Sequence, residues 1–145
     1  PASEGKAFTM RSLAGVDGFP LPVDTDRLDE VVEAVALCSS VFAAVYLHDM
    51  APDRLASVQA DLQARLDIPV LTDAQAAEAG GGDDTVAYPG ILRGLLGCRA
   101  TKVTDGVLEV ATKAAAGHAA LDVGLAADVA DAVRTAARAE GVNRI

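Results

Sequence analysis

The chain has 145 residues, 51% of them hydrophobic but only 3% aromatic and none tryptophan, so one domain with an aliphatic core of Val, Leu and Ala is expected. Its formal net charge of −9 argues against nucleic acid, which needs a cationic footprint, and against an anionic membrane surface. No apolar run approaches the length of a membrane span and no signal peptide opens the sequence, so a cytoplasmic protein is expected.

Pro1 offers a secondary amine if it is the natural start, with a frayed terminus as the plainer expectation. Ser3 is placed to cap a first helix over residues 3–13, which Ala14-Gly15 ends. Lys6 falls in its first turn, the wrong end for a cation facing the helix dipole, which disfavours the ammonium form. From position alone Lys6 reads as a solvated surface lysine. Residues 19–23, Phe-Pro-Leu-Pro-Val, form a short extended segment whose prolines suit a strand start or edge. Asp24-Thr25-Asp26 then cap a helix with Leu28, Val31, Val32, Val35 and Ala36 on one face.

Residues 41–47 are a continuous run rich in β-branched residues, as in a central parallel strand buried on both faces. A helix over 52–66 follows, opened by Pro52 and carrying Leu55, Val58, Leu62 and Leu66 on one side. Residues 69–71 make a third short strand. Strand–helix–strand spacing of this kind means a parallel sheet. Both apolar runs end in an acid, Asp49 and Asp73, at the strand ends where ligands collect in such sheets.

Residues 74–84 are rich in Ala and end in Gly80-Gly81-Gly82 and two aspartates, which reads as a flexible connector. Helices alone are expected beyond it: a short one over 89–98, one capped by Thr104 and running to about 116, and one over 125–140 with Val129, Val133 and Ala136 inward. The fold class is thus α/β, a small parallel sheet of about three strands flanked by helices and followed by a helical run. Cys38 and Cys98 fall in apolar helical patterns and read as small hydrophobes in a reducing compartment.

Several motifs, taken in order, resemble one family. Glu4-Gly5-Lys6-Ala7, Gly15-Val16-Asp17-Gly18-Phe19-Pro20, Leu47-His48-Asp49-Met50-Ala51-Pro52 and Leu66-Asp67-Ile68-Pro69-Val70 follow one another as in bacterial malic enzymes. Tyr88-Pro89-Gly90-Ile91-Leu92-Arg93-Gly94-Leu95 and Arg99-Ala100-Thr101-Lys102-Val103-Thr104 resemble the end of that catalytic core. The resemblance implies a single malic-enzyme-like domain over 1–145, truncated, with the family's catalytic tyrosine and carboxylate-binding arginine upstream of the matched residues. It also implies that the connector over 74–84 replaces an inserted nucleotide-binding domain. No G-x-G-x-x-G follows a strand, so no NAD cofactor is expected.

The resemblance further assigns roles. Lys6 matches the family's general-base lysine. Asp49 matches one of three acidic ligands for a divalent metal, Mg or Mn. His48 stands where another ligand is a glutamate, and Asp73-Ala74 stands where the third is the second of two aspartates. Asp49, Asp73 and His48 are therefore the candidate metal ligands and, with Lys6, the candidate catalytic residues. His48 is read as a proton carrier or an exposed loop histidine. Asp84 stands where an asparagine touches substrate, and Arg93 in the Tyr-Pro-Gly segment is the second candidate substrate-binding residue. Two functions follow as expectations. One is a nicotinamide-independent acid–base enzyme of decarboxylase or lyase, cyclase or hydrolase type, acting on an enolisable carbonyl or carboxylic acid, either a small one or a larger carbonyl compound. The other is a pseudoenzyme, a binding or regulatory module. A homodimer is expected to cover the bare face of so small a sheet.

Overall fold

The structure, a computed structural model, describes residues 2–145. Pro1, the terminal amine candidate, lies outside the described residues. Helix α1 (Ala2–Ala14) is followed by a long segment without regular structure and then by α2 (Leu28–Cys38), whose buried face is Val31, Val32 and Val35. A single 3-10 turn, Ser39–Val41, leads to strand β1 (Val45–Leu47). Helix α3 (Pro52–Arg65) crosses to β2 (Val70–Thr72), which pairs with β1 in parallel, Val45 opposite Val70 and Leu47 opposite Thr72. Four helices complete the chain: α4 (Asp73–Ala79), α5 (Asp84–Gly97), α6 (Asp105–Ala116) and α7 (Val123–Ala139).

The expected α/β architecture, a small parallel sheet followed by helices, is what forms. Three local expectations are corrected. Residues 19–23 join no strand, and the sheet of the described residues has two strands. Pro20 and Pro22 lack the N–H groups that a ladder needs. The run over 41–47 is strand only from Val45, and Val41 is 77% exposed. Residues 74–84 are no plain flexible connector. Thr72 Oγ1 accepts from the Gln75 backbone N–H while Gln75 Oε1 accepts from that of Thr72, a reciprocal cap that starts α4. Gly81 and Gly82, at φ of +72° and +107°, then turn the chain into α5.

Alternation along β2 divides the interior. Val70 faces a cluster with Val31, Val35, Leu55, Val58 and Leu62, whereas Leu71 faces the other way into a cluster built by α4 to α7. In the second cluster α5 lies directly against α7. A methyl group at Gly90 would meet Val129 Cβ at 2.7 Å, and one at Gly94 would meet the Ala130 carbonyl oxygen at 2.6 Å. These two glycines, one helical turn apart, allow the close approach. That approach fixes α5, whose first turn carries Asp84 and whose second carries Tyr88. Among the described residues no helix is long and apolar enough to cross a membrane.

Candidate active site

Three pieces of backbone meet at one corner: the first turns of α1, the ends of β1 and β2, and the start of α5. Asp83 caps α5, accepting from the Thr85 backbone N–H at 2.9 Å and its hydroxyl at 2.7 Å, and these bonds hold its carboxyl below the usual carboxylate range. The next residue, Asp84, accepts from Lys6 Nζ at 2.7 Å. The Lys6 side chain is only 13% exposed, so the solvated surface lysine suggested by position does not form. Tyr88, buried on α5, donates its hydroxyl to the Lys6 carbonyl at 3.1 Å and so ties α1 to α5.

Both tyrosines of the chain lie here. Tyr46 on β1 stacks on Tyr88 with centroids 5.0 Å apart and 11° between planes, and the His48 ring lies 5.9 Å from that of Tyr46 with 26° between planes. Lys6 Nζ stands 5.2 Å from the Tyr88 centroid and 5.6 Å from that of Tyr46, within cation–π range. Burial pushes the Tyr46 phenol far above its ordinary value, reinforced by the charges of Asp84, Asp73 and Asp49. The Tyr88 phenol is raised as well, again first by burial. The Tyr46 hydroxyl is buried and, among the described residues, has no hydrogen-bond partner.

The strand ends supply the rest. Asp49 sits in the left-handed region at φ 62°, which turns the chain so that its N–H reaches Asp73 Oδ2 at 3.2 Å. The same turn lets neighbouring side chains meet: His48 Nδ1 lies 2.9 Å from Asp49 Oδ2, and its Nε2 lies 3.1 Å from Ser3 Oγ. A carboxylate only accepts, so in the neutral ring Nδ1–H donates to Asp49 and the Ser3 hydroxyl donates to Nε2. Ser3, expected as the cap of α1, lies inside the helix and holds His48. His48 is 15% exposed in its side chain, not an open loop histidine.

Lys6, Tyr46, His48, Asp49 and Arg93 line a cleft of about 1110 Å³ between α1, the segment after it, α2 and α5. Arg93 is exposed on its wall. Asp73 and Asp84 bond to members of this lining, Asp73 accepting from the Asp49 backbone N–H and Asp84 pairing with Lys6. Among the described residues, no three His, Cys, Asp or Glu groups are placed to share a metal ion. Within the candidate ligand set His48 Nδ1 engages Asp49 Oδ2 and Asp73 Oδ2 accepts from the Asp49 backbone N–H, so the three residues are linked to one another, whereas a hard cation takes several oxygens in a cage. Tyr46 and Tyr88 are the residues that sequence reasoning missed. Their signal was rarity, two tyrosines in a nearly aromatic-free chain, both inside or beside the motif segments.

No family model matches the chain. Its sequence is 33% identical over 109 residues to an NAD-dependent malic enzyme of Geobacillus stearothermophilus, covering 75% of this chain and 20% of that protein. It is 39% identical over 75 residues to a bifunctional malic/malolactic enzyme of Bacillus subtilis, covering 52% of this chain and 18% of that one. A malic enzyme structure from Pyrococcus horikoshii superposes with a TM-score of 0.87 at 16% identity, over 99% of this chain and 72% of that one. The chain spans about one-tenth to one-fifth of the length of the curated relatives it matches. In sequence and in fold, then, this is a malic-enzyme-like chain that corresponds to a part of those enzymes.

Proposed function

We propose that the Lys6 corner is an acid–base site that moves a proton at the carbon beside a carbonyl of a small keto or hydroxy acid, in a lyase-type reaction without nicotinamide. The observation that carries this reading is a lysine 13% exposed, bonded to Asp84 at 2.7 Å and facing a cleft. In this reading its ammonium protonates an enolate carbon, and the free amine left behind removes such a proton in reverse. Arg93 on the cleft wall supplies a charge for a substrate carboxylate. The names of the relatives, malic and malolactic enzymes, support small acids as the substrate class.

Independence from nicotinamide rests on the interval between β2 and α5. It holds a seven-residue helix and a glycine turn, too little chain to cradle a dinucleotide. Two free cysteines, one fully buried, suit a cytoplasmic protein. Exposed Phe19, Leu37 and Val41, each more than 70% open, support a homodimer that covers them.

Two assays test the site: loss of the methyl signal of pyruvate in deuterated water, followed by proton NMR, and decarboxylation of oxaloacetate. Lys6→Ala and Asp49→Asn are expected to lower turnover by ~10²–10⁴, the usual worth of a positioned proton carrier, with unchanged circular dichroism. Undiminished turnover in both variants refutes the assignment. Stoichiometric NAD(P) uptake refutes the nicotinamide-free reading. A parent protein inert toward both acids favours the binding-module alternative.

A further inference from the structure

A buried hydroxyl without a partner forfeits its hydration, and native proteins keep few of them. Tyr46 keeps one, on a ring that stacks near those of His48 and Tyr88 and has the Lys6 ammonium 5.6 Å from its centroid. The Lys6–Asp84 ion pair lies beside this ring, close enough for the Asp84 charge to act on the Tyr46 phenol, and the Asp84 side chain is 36% exposed at the start of its helix. The pair is joined by one charge-assisted hydrogen bond, which a competing anion can replace.

We propose that Tyr46 is a substrate-binding hydrogen-bond donor, and that Asp84 occupies the Lys6 ammonium as an internal anion until a planar carboxylate or enolate ligand displaces it. A carboxylate or enolate of an α-keto acid carries two oxygens in one plane. The first replaces Asp84 on Lys6, and the second reaches the phenol. The phenol stays a donor, and a hydrogen bond from it strengthens as negative charge gathers on the oxygen. The idea rests on the acid–base reading of Lys6 and adds a residue that the motif resemblance does not supply.

Oxalate, a planar dianion shaped like such an enolate, is the probe, titrated calorimetrically into the parent protein, Tyr46→Phe and Asp84→Asn. Tyr46→Phe is expected to weaken oxalate about tenfold to a hundredfold, as for one hydrogen bond to a charged partner, while melting at or above the parent temperature because the orphaned hydroxyl is gone. Asp84→Asn is expected to tighten oxalate by up to about fivefold, the strength of a part-exposed ion pair. Unchanged oxalate affinity in Tyr46→Phe overturns the role of Tyr46, whatever its melting temperature. If that variant does not fold, Asp84→Asn still decides: no gain in affinity overturns the proposal. A parent protein that takes up no oxalate and exchanges no pyruvate protons sinks the acid–base reading as well. Exchange that persists undiminished in Tyr46→Phe sinks this inference alone.

Discussion

Gly94→Ala offers a direct test of how the site is held. The added methyl would stand 2.6 Å from the Ala130 carbonyl oxygen and 2.8 Å from Val133 Cβ. The first is backbone, and the second belongs to a fully buried branched side chain, so neither can swing aside. Helices α5 and α7 must part by most of an ångström to restore ordinary contact. Overpacking of this kind costs about 1–3 kcal/mol, and the better helix propensity of alanine returns at most about 1 kcal/mol. The net loss is up to about 2 kcal/mol, which for a domain of this size lowers the melting temperature by up to roughly 6 °C. Gly5→Ala is the control. Gly5 lies in α1, where an added methyl would meet nothing within 4 Å, and the same chemical change there should stabilise by about 0.5–1 kcal/mol. Thermal and urea unfolding, followed by far-ultraviolet circular dichroism, read both variants. If Gly94→Ala gains as much stability as Gly5→Ala, the close approach of α5 and α7 is not what fixes Asp84 and Tyr88, and the packing argument fails.

Two further expectations concern pH and assembly. Folding raises the Tyr46 and Tyr88 phenols above their ordinary value of 10.0, so the native state retains protons that the unfolded chain releases. The resulting stability is complete below about pH 10 and is lost as pH climbs toward the folded values. The parent should therefore lose melting temperature above about pH 10 more steeply than Tyr46→Phe, and equal slopes would remove the argument. Light scattering should give the mass of a dimer, and Phe19→Ser combined with Leu37→Ser and Val41→Ser should halve it. A parent that already scatters as a monomer removes the homodimer.

Helix α3 was legible almost to the residue, because Pro52 marks its start and Leu55, Val58 and Leu62 repeat at helical spacing. Helix α7 was equally plain from Val129 and Val133. Helix α4 was not, since a run of alanine and glycine suggests a linker unless the Thr72–Gln75 cap is noticed. Helix α5 begins at Asp84, well before Pro89, although proline ordinarily opens a helix. There the Asp83 cap and the burial of Ala87 and Tyr88 outweigh the lost hydrogen bond. Asp24 to Asp26 looked like a cap for α2, yet the position before that helix is Arg27, and Thr25 Oγ1 accepts from its backbone N–H. At the site, Lys6, His48 and Asp49 could be named from motifs. The pairing of Lys6 with Asp84 joins residues 78 apart in sequence, which no local pattern reveals. The tyrosine stack likewise depends on how β1 meets α5.

The left-handed backbone at Asp49 bears on how variation at this position should be interpreted. Only glycine, asparagine and aspartate enter that conformation readily. A library randomised at residue 49 and screened for folding alone should already favour those three, before any chemistry is asked of them. Enrichment of aspartate over asparagine in a second screen, one that demands turnover, is then the signature that belongs to the carboxylate.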